Sequence, residues 1–405
     1  MQPDGPSASY SRNRPEPTAQ ILNRHPVFDP PEYRNWTADP ALVRAYRSRI
    51  ENGDPGRAAR ASGLGRAALL DLYRDLVVTR LQDTGLKRWV RQGVISKAWL
   101  GVGEEAVTVG CVAALDRERD VVIPMIRNAG ACHMMGLPLE DGFTCYLATA
   151  DSPSGGRDFH YGDIAKGVIQ PVSHMGTTVP VAAGVALAFR NRGEGRVALT
   201  WTGDGATRTA AFHEGMVFAA RVGVPLIVVI QNNQVALGTR LEQHGAGAME
   251  DIPAVYGLSG IGCDGNNVLD VYTAAAAARE RCLRGEGPVM IVAETFRMGG
   301  HATHDEREAR ETFAAELFEH WGRRDPVGLY EAYLLDRGVT MGELEAVEEE
   351  GRQAVEAAAE RALGSRAQLP RPESALFPGI SEGEVLHGLR GRLEGAADAA
   401  PASSD

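Results

Sequence analysis

Apolar residues recur at helical spacing through residues 67–93, AALLDLYRDLVVTRLQDTGLKRWVRQG. Leu70, Leu72, Tyr73, Leu76, Val77 and Leu81 fall on one broad stripe, which predicts a long helix with a buried face. Four short runs carry no such period and read as buried strands: DVVIP at 120–124, RVALTWTG at 196–203, PLIVVIQN at 225–232 and PVMIVAETF at 288–296. The segments 179–191, 212–221 and 268–284 carry helical patterns among or beside them. Uniformly apolar strands alternating with helices predict an α/β fold, a parallel central sheet flanked by helices on both faces. Ligands of such sheets bind beyond the carboxyl ends of the strands.

The flanks are different. Residues 1–60 are rich in Pro, Arg, Asn and Asp and predict an extended N-terminal arm with one short helix near 40–49. Residues 61–380 form the expected α/β domain, with a helical, Glu- and Arg-rich C-terminal part after residue 300. Residues 381–405 are expected to hold a helix end and an Ala-, Ser- and Asp-rich disordered tail.

Composition narrows the classes. With 44% apolar and 23% charged residues in 405, the chain is globular. Its formal charge of −11 argues against a nucleic-acid binder, which needs a basic face. The five cysteines are odd in number and none share CxxC spacing, so reduced thiols are expected rather than disulfides or a zinc site. No run of 18 apolar residues predicts a membrane span, and the N-terminus has no apolar core of a secretory signal. A bacterial cytoplasmic protein is the expectation.

Candidate chemistry begins where the 196–203 strand ends, at Gly203-Asp204-Gly205. A strand–glycine–helix junction offers free backbone N–H groups and the positive end of a helix dipole, both suited to an anion. Asp204 would repel that anion unless a divalent cation lay between them. Twenty-six residues separate Gly205 from Asn232-Asn233, which follow the next apolar strand. Neighbouring parallel strands would bring Asp204 and Asn233 to one sheet edge. Their two side-chain oxygens and one backbone carbonyl could supply half of an octahedral Mg²⁺ shell, with diphosphate oxygens and water completing it.

GDG, this interval and NN together resemble the thiamine diphosphate motif. Several ordered segments resemble the α subunit of 2-oxo acid dehydrogenase E1 components, from about residue 65 to 380: GVGEEAVTVG (101–110), PMIRNAG (124–130), SHMGTTVPVAAGVALA (173–188), GDGATRTAAFHEGMVFAA (203–220), QNNQVALGT (231–239) and FRMGGHATHDE (296–306). The resemblance implies the diphosphate-binding domain of the thiamine diphosphate fold. It implies that Asp204, Asn233 and the Val235 carbonyl hold Mg²⁺, and that Gly203, Gly205 and Ala206 set backbone against the diphosphate. Arg127 would meet the terminal phosphate, Ser173 the substrate, and Met175 would hold the cofactor bent. His301 would move or stabilise protons near the reacting centre.

The implied activity is oxidative decarboxylation of a 2-oxo acid, branched-chain or pyruvate, with reductive acyl transfer to a lipoyl-bearing E2 acyltransferase. After residue 300 no second run of buried strands predicts a pyrimidine-binding domain, so the carboxylic acid that domain carries is expected from a β subunit in an α₂β₂ heterotetramer. Two alternatives remain open: the cofactor half of a split transketolase-like enzyme, and a non-catalytic orphan subunit. The second rests on departures from the family pattern, with Thr209-Ala210 at a usual Glu-Gly and Ile126 at a usual Tyr. Ala302 stands where animal relatives carry a phosphorylated serine, so kinase control there is not expected. Glu104 and Glu105 read as scaffold residues, and GVGEEA lacks the preceding strand of a dinucleotide fingerprint.

Overall fold

The computed structural model describes residues 36–371. The terminal parts of the expected arm and the tail after 381 lie outside those residues. Five strands form one wholly parallel sheet in the order β1-β2-β3-β7-β6: β1 Val121–Ile123, β2 Ala198–Gly203, β3 Leu226–Asn232, β6 Gly260–Asp264 and β7 Val289–Glu294. A two-stranded hairpin, β4 Val235–Ala236 and β5 Thr239–Arg240, follows β3 directly.

The central strands are apolar on both faces because both are covered. In β3, Ile227 and Val229 join a core beneath the helices Arg66–Arg91, Glu105–Ala113 and Val268–Leu283. Leu226, Val228 and Ile230 join the opposite core, beneath Thr178–Arg192 and Ala210–Val222. That alternation is the period-two geometry of a strand. The helix ends follow local chemistry. Asn267 caps Val268–Leu283 through its side chain, and Thr209 caps Ala210–Val222 in the same way. Gly193 and Gly223, both left-handed, close Thr178–Arg192 and Ala210–Val222.

A buried ion triad joins three helices. Arg80, fully buried on Arg66–Arg91, pairs with Glu105 and reaches Asp325 Oδ1 at 2.7 Å. Asp325 also caps the helix Pro326–Asp336.

Two features depart from the sequence reading. Within the expected extended arm, residues 40–51 and 55–62 are two helices packed on the domain, not one short helix in an open arm. Asp39 and Asp54 cap them, Tyr46 and Trp36 are buried, and Arg57 bonds Asp270 Oδ1 at 2.5 Å. The edge strand β6 was not anticipated, because GIGCD has too little apolar content to register as a strand.

The helices Glu105–Ala113 and Val268–Leu283 approach closely at Gly110. A Cβ there would lie 2.8 Å from the Val268 carbonyl oxygen and 2.9 Å from the Tyr272 amide nitrogen. Gly110→Ala is therefore expected to destabilise the chain by about 1–3 kcal/mol through overpacking against rigid backbone. Urea denaturation measures this, and an unchanged midpoint would contradict the packing.

Candidate functional site

The in-register pairing of β2 with β3 sets the site. Gly203 pairs with Gln231, so the residues that follow each strand emerge at one sheet edge. Asp204 and Asn233 are 1% and 3% exposed. Asp204 Oδ1 accepts from the Gly205 amide at 2.6 Å, while Oδ2 is buried with no protein partner. Asn233 donates from Nδ2 to Glu104 Oε1 at 2.9 Å, while its Oδ1 is likewise buried and unpartnered. Buried oxygens without donors are costly unless something absent from the protein satisfies them. Burial raises the Asp204 carboxyl above its ordinary pKa, against the Gly205 amide, His244 and Arg297, which lower it.

Asp204 Oδ2 and Asn233 Oδ1 form a hard-oxygen donor set that suits Mg²⁺ or Ca²⁺. Among the described residues no cluster of three His, Cys, Asp or Glu side chains could hold a metal. The donor set here consists of one carboxylate, one amide and backbone. Val235 is buried at the start of the β4–β5 hairpin. The hairpin lies against the GDG turn: a Cβ on Gly205 would collide with Ala236. A Cβ on Gly203 would meet nothing, so that backbone faces open space.

Above this floor lies a cleft of about 180 Å³. Its walls include Arg127, Ser173, Met175, Ala206 and His301. The structure thus gathers five of the predicted residues around one cavity. Gly203, Asp204, Gly205, Asn233 and Val235 do not line it and sit at the adjoining sheet edge. Met175 is 49% exposed and Ser173 is also exposed, so this wall is open to solvent in the single chain.

Arg127 is almost fully buried. It donates from Nη1 to the Leu100 carbonyl at 3.0 Å, and its Nη2 lies 3.5 Å from His301 Nδ1. His301 sits in a loop tied to residues 98–102. The Thr303 amide bonds the Ala98 carbonyl at 2.9 Å and the Met298 amide bonds the Val102 carbonyl at 3.1 Å. Gly103, at φ 87°, is required where these segments meet, since a Cβ would lie 2.7 Å from the Phe296 carbonyl oxygen. That contact is the structural use of GVGEEA, which follows no strand.

Three contributors escaped the sequence reading. Glu104, expected as scaffold, accepts from Asn233 and from Gln231 Nε2 at 2.8 Å, beneath the candidate metal ligands. Arg297 is 2% exposed, donates to the Leu237 carbonyl at 2.7 Å, and so ties the histidine loop to the hairpin of Val235. Burial, with Arg127 nearby, pulls its pKa down to about 10. Trp99 and Phe159 stack at 4.9 Å on the cleft wall. Arg297 and Glu104 had a sequence signal, their places inside the quoted FRMGGHATHDE and GVGEEAVTVG segments.

A doubly covered parallel sheet, with an acid–amide pair at its edge under an Arg- and His-lined cleft, defines an α/β protein with a polar cleft at the carboxyl ends of its strands. Comparison with known proteins carries this further. Residues 73–371 match the family described as dehydrogenase E1 component, and the chain belongs to that family, among its α subunits. It is 34% identical over 289 residues to the 2-oxoisovalerate dehydrogenase subunit alpha of Bacillus subtilis, covering 70% of this chain and 87% of that one. It is 34% identical over 316 residues to the pyruvate dehydrogenase E1 component subunit alpha of the same organism, covering 77% and 82%. A pyruvate dehydrogenase E1 component subunit alpha of Bacillus cereus is 33% identical over 298 residues, 73% of this chain and 77% of that one.

Burial and the charges of Arg127 and Arg297 depress the His301 pKa to about 4. The imidazole is therefore neutral near pH 7, its protonated form disfavoured by burial and the two guanidinium groups. Its folded pKa lies below its unfolded value, so the unfolded chain binds the proton first and His301 withdraws stability as pH falls from about 6.5 to about 4. Ring ¹⁵N chemical shifts against pH should place the His301 transition near 4; a transition near 6.5 would contradict the described environment.

Proposed function

We propose that the chain is the α subunit of a thiamine diphosphate- and Mg²⁺-dependent 2-oxo acid dehydrogenase E1 component. The reaction is oxidative decarboxylation of a branched-chain 2-oxo acid or pyruvate, with reductive acyl transfer to a lipoyl group on an E2 acyltransferase. The observation that carries this reading is the pair of buried, unpartnered oxygens, Asp204 Oδ2 and Asn233 Oδ1, in the two halves of the diphosphate motif.

Those two oxygens and the Val235 carbonyl would hold Mg²⁺. Gly203, Gly205 and Ala206 would carry backbone to the diphosphate, and Arg127 would pair with its terminal phosphate in a charge-assisted contact. Bound thiamine diphosphate would supply the electron sink for decarboxylation. The protein's own part is positional and protic. Met175 presents an apolar side chain at the cleft wall, Ser173 offers a hydroxyl beside it, and His301 presents a neutral imidazole that would hold or move protons there.

A β subunit completes the site in an α₂β₂ heterotetramer, contributing the carboxylic acid beside the aminopyrimidine ring. Two observations support a partner: the open wall at Ser173 and Met175, and the presence of a single five-stranded sheet among the described residues. A cytoplasmic setting is supported by the five buried, unpaired thiols. Among the described residues no helix is long and apolar enough to cross a membrane.

Titration calorimetry tests the cofactor assignment. Thiamine diphosphate should bind the wild type only with Mg²⁺, and Asp204→Ala should remove that binding while leaving the circular dichroism spectrum unchanged. Wild-type affinity in the variant would sink the metal assignment. Reconstituted with its β subunit, the chain should reduce lipoyl acceptor with pyruvate or branched-chain 2-oxo acids. Turnover of sugar phosphates instead would favour the transketolase-like alternative.

A further inference from the structure

A row of buried side chains runs beneath the site. Asn128 donates from Nδ2 to Thr108 Oγ1 at 2.7 Å and to Gln231 Oε1 at 2.9 Å. Gln231 donates from Nε2 to Glu104 Oε1 at 2.8 Å. The same oxygen accepts from Asn233 Nδ2 at 2.9 Å. Asn128 and Gln231 are fully buried and Glu104 is 1% exposed. The second carboxylate oxygen, Oε2, is also buried, has no hydrogen-bond partner, and lies 3.8 Å from Arg127 Nη1.

The donor and acceptor roles in this row are fixed by chemistry. An amide can present either its oxygen or its NH₂ to a neighbour, and the two arrangements have nearly the same shape. Glu104 Oε1 accepts from two amides, and Arg127 Nη1, 3.8 Å from Oε2, favours the carboxylate form against the desolvation that raises its pKa. Asn233 must therefore turn its NH₂ toward Glu104, which leaves Oδ1 as its free group. That oxygen is the buried, unpartnered atom on which the metal reading depends. With the amide reversed, an NH₂ would stand at the cation site, and an amide nitrogen bearing two protons is not a ligand for a hard divalent ion.

We infer that Glu104 is a positioning residue for the metal site: it selects the amide orientation of Asn233 that leaves an oxygen for the cation, and it acts through Asn233 rather than by touching the metal. The inference rests on the cofactor reading above. It explains why a carboxylate is buried here, where burial of a charge is costly. A neutral amide at position 104 could satisfy Gln231 equally well, but it would not dictate which way Asn233 faces.

The test is an exchange of donor and acceptor. Binding of Mn²⁺ in the presence of thiamine diphosphate is followed by electron paramagnetic resonance on the full-length chain reconstituted with its β subunit, with circular dichroism as the folding control. Glu104→Gln should weaken Mn²⁺ binding by roughly 10–100-fold, the usual cost of losing a partner that orients a metal ligand. The double exchange Glu104→Gln with Asn233→Asp reverses the hydrogen bond at the same total charge. The introduced amide donates to the introduced carboxylate once the neighbouring amides Gln231 and Asn128 reverse with it, and the second carboxylate oxygen ligates without needing to be oriented. Affinity should then recover to within roughly threefold of wild type, a non-additive coupling between contacting residues. This recovery reads out even if the single variant folds poorly.

A merely structural role for Glu104 predicts no recovery. Wild-type affinity in Glu104→Gln, or a double exchange that binds no better than the single variant, would overturn the inference and leave the cofactor reading standing. Absence of Mn²⁺ binding in the wild type would remove both.

Discussion

The parallel pairing of β2 with β3 is the constraint on which the site depends. Pairing Gly203 with Gln231 leaves Asp204 and Asn233 as the residues that follow two adjacent strands at one edge. A shift of one residue in that register would exchange the side chains facing the two helical layers and displace Asn233 along its strand relative to Asp204. The register is secured by burial on both faces. Ile227 and Val229 pack to one side and Leu226, Val228 and Ile230 to the other, so a one-residue slip would repack both close-packed cores at once. Hydrophobic burial, which has no direction of its own, thus fixes the position of polar ligands.

Polar ties then lock the surrounding loops. The histidine loop is pinned to residues 98–102 by backbone hydrogen bonds, and Arg297 fastens it to the hairpin that carries Val235. Glu104 links the Asn233 amide with the Gln231 amide and lies near Arg127. A chain of net charge −11 can in this way offer an anion site, because the relevant field is local. Arg127 and Arg297 stand close enough that each opposes the other's charge, and a bound anion would relieve that opposition.

Much of this was legible in the sequence, for identifiable reasons. The four apolar runs became β1, β2, β3 and β7 because doubly buried parallel strands need no alternation, and the GDG and NN segments fall where such strands end. β6 was invisible because an edge strand with two glycines carries little apolar signal. The helix expected near 40–49 is present as Pro40–Glu51, while Pro55–Ser62 was hidden by high Pro and Arg content, although Asp54-Pro55 is a cap signal. Glu104 looked like scaffold because its partners, Gln231 and Asn233, lie more than 120 residues away. The Trp99–Phe159 stack is equally non-local, and no local pattern announces it. Position along the chain picks out Asp204 and Asn233 as candidate ligands; only packing shows what Asn233 and its neighbours contact.

The central claim is that Asp204 and Asn233 jointly hold a divalent cation that carries a diphosphate. The most direct test is anomalous diffraction from crystals of the chain grown with Mn²⁺ and thiamine diphosphate. The account predicts a single strong peak in contact with Asp204 Oδ2, Asn233 Oδ1 and the Val235 carbonyl. Bound thiamine diphosphate with no peak at those oxygens, or with the manganese ligated elsewhere, would contradict it.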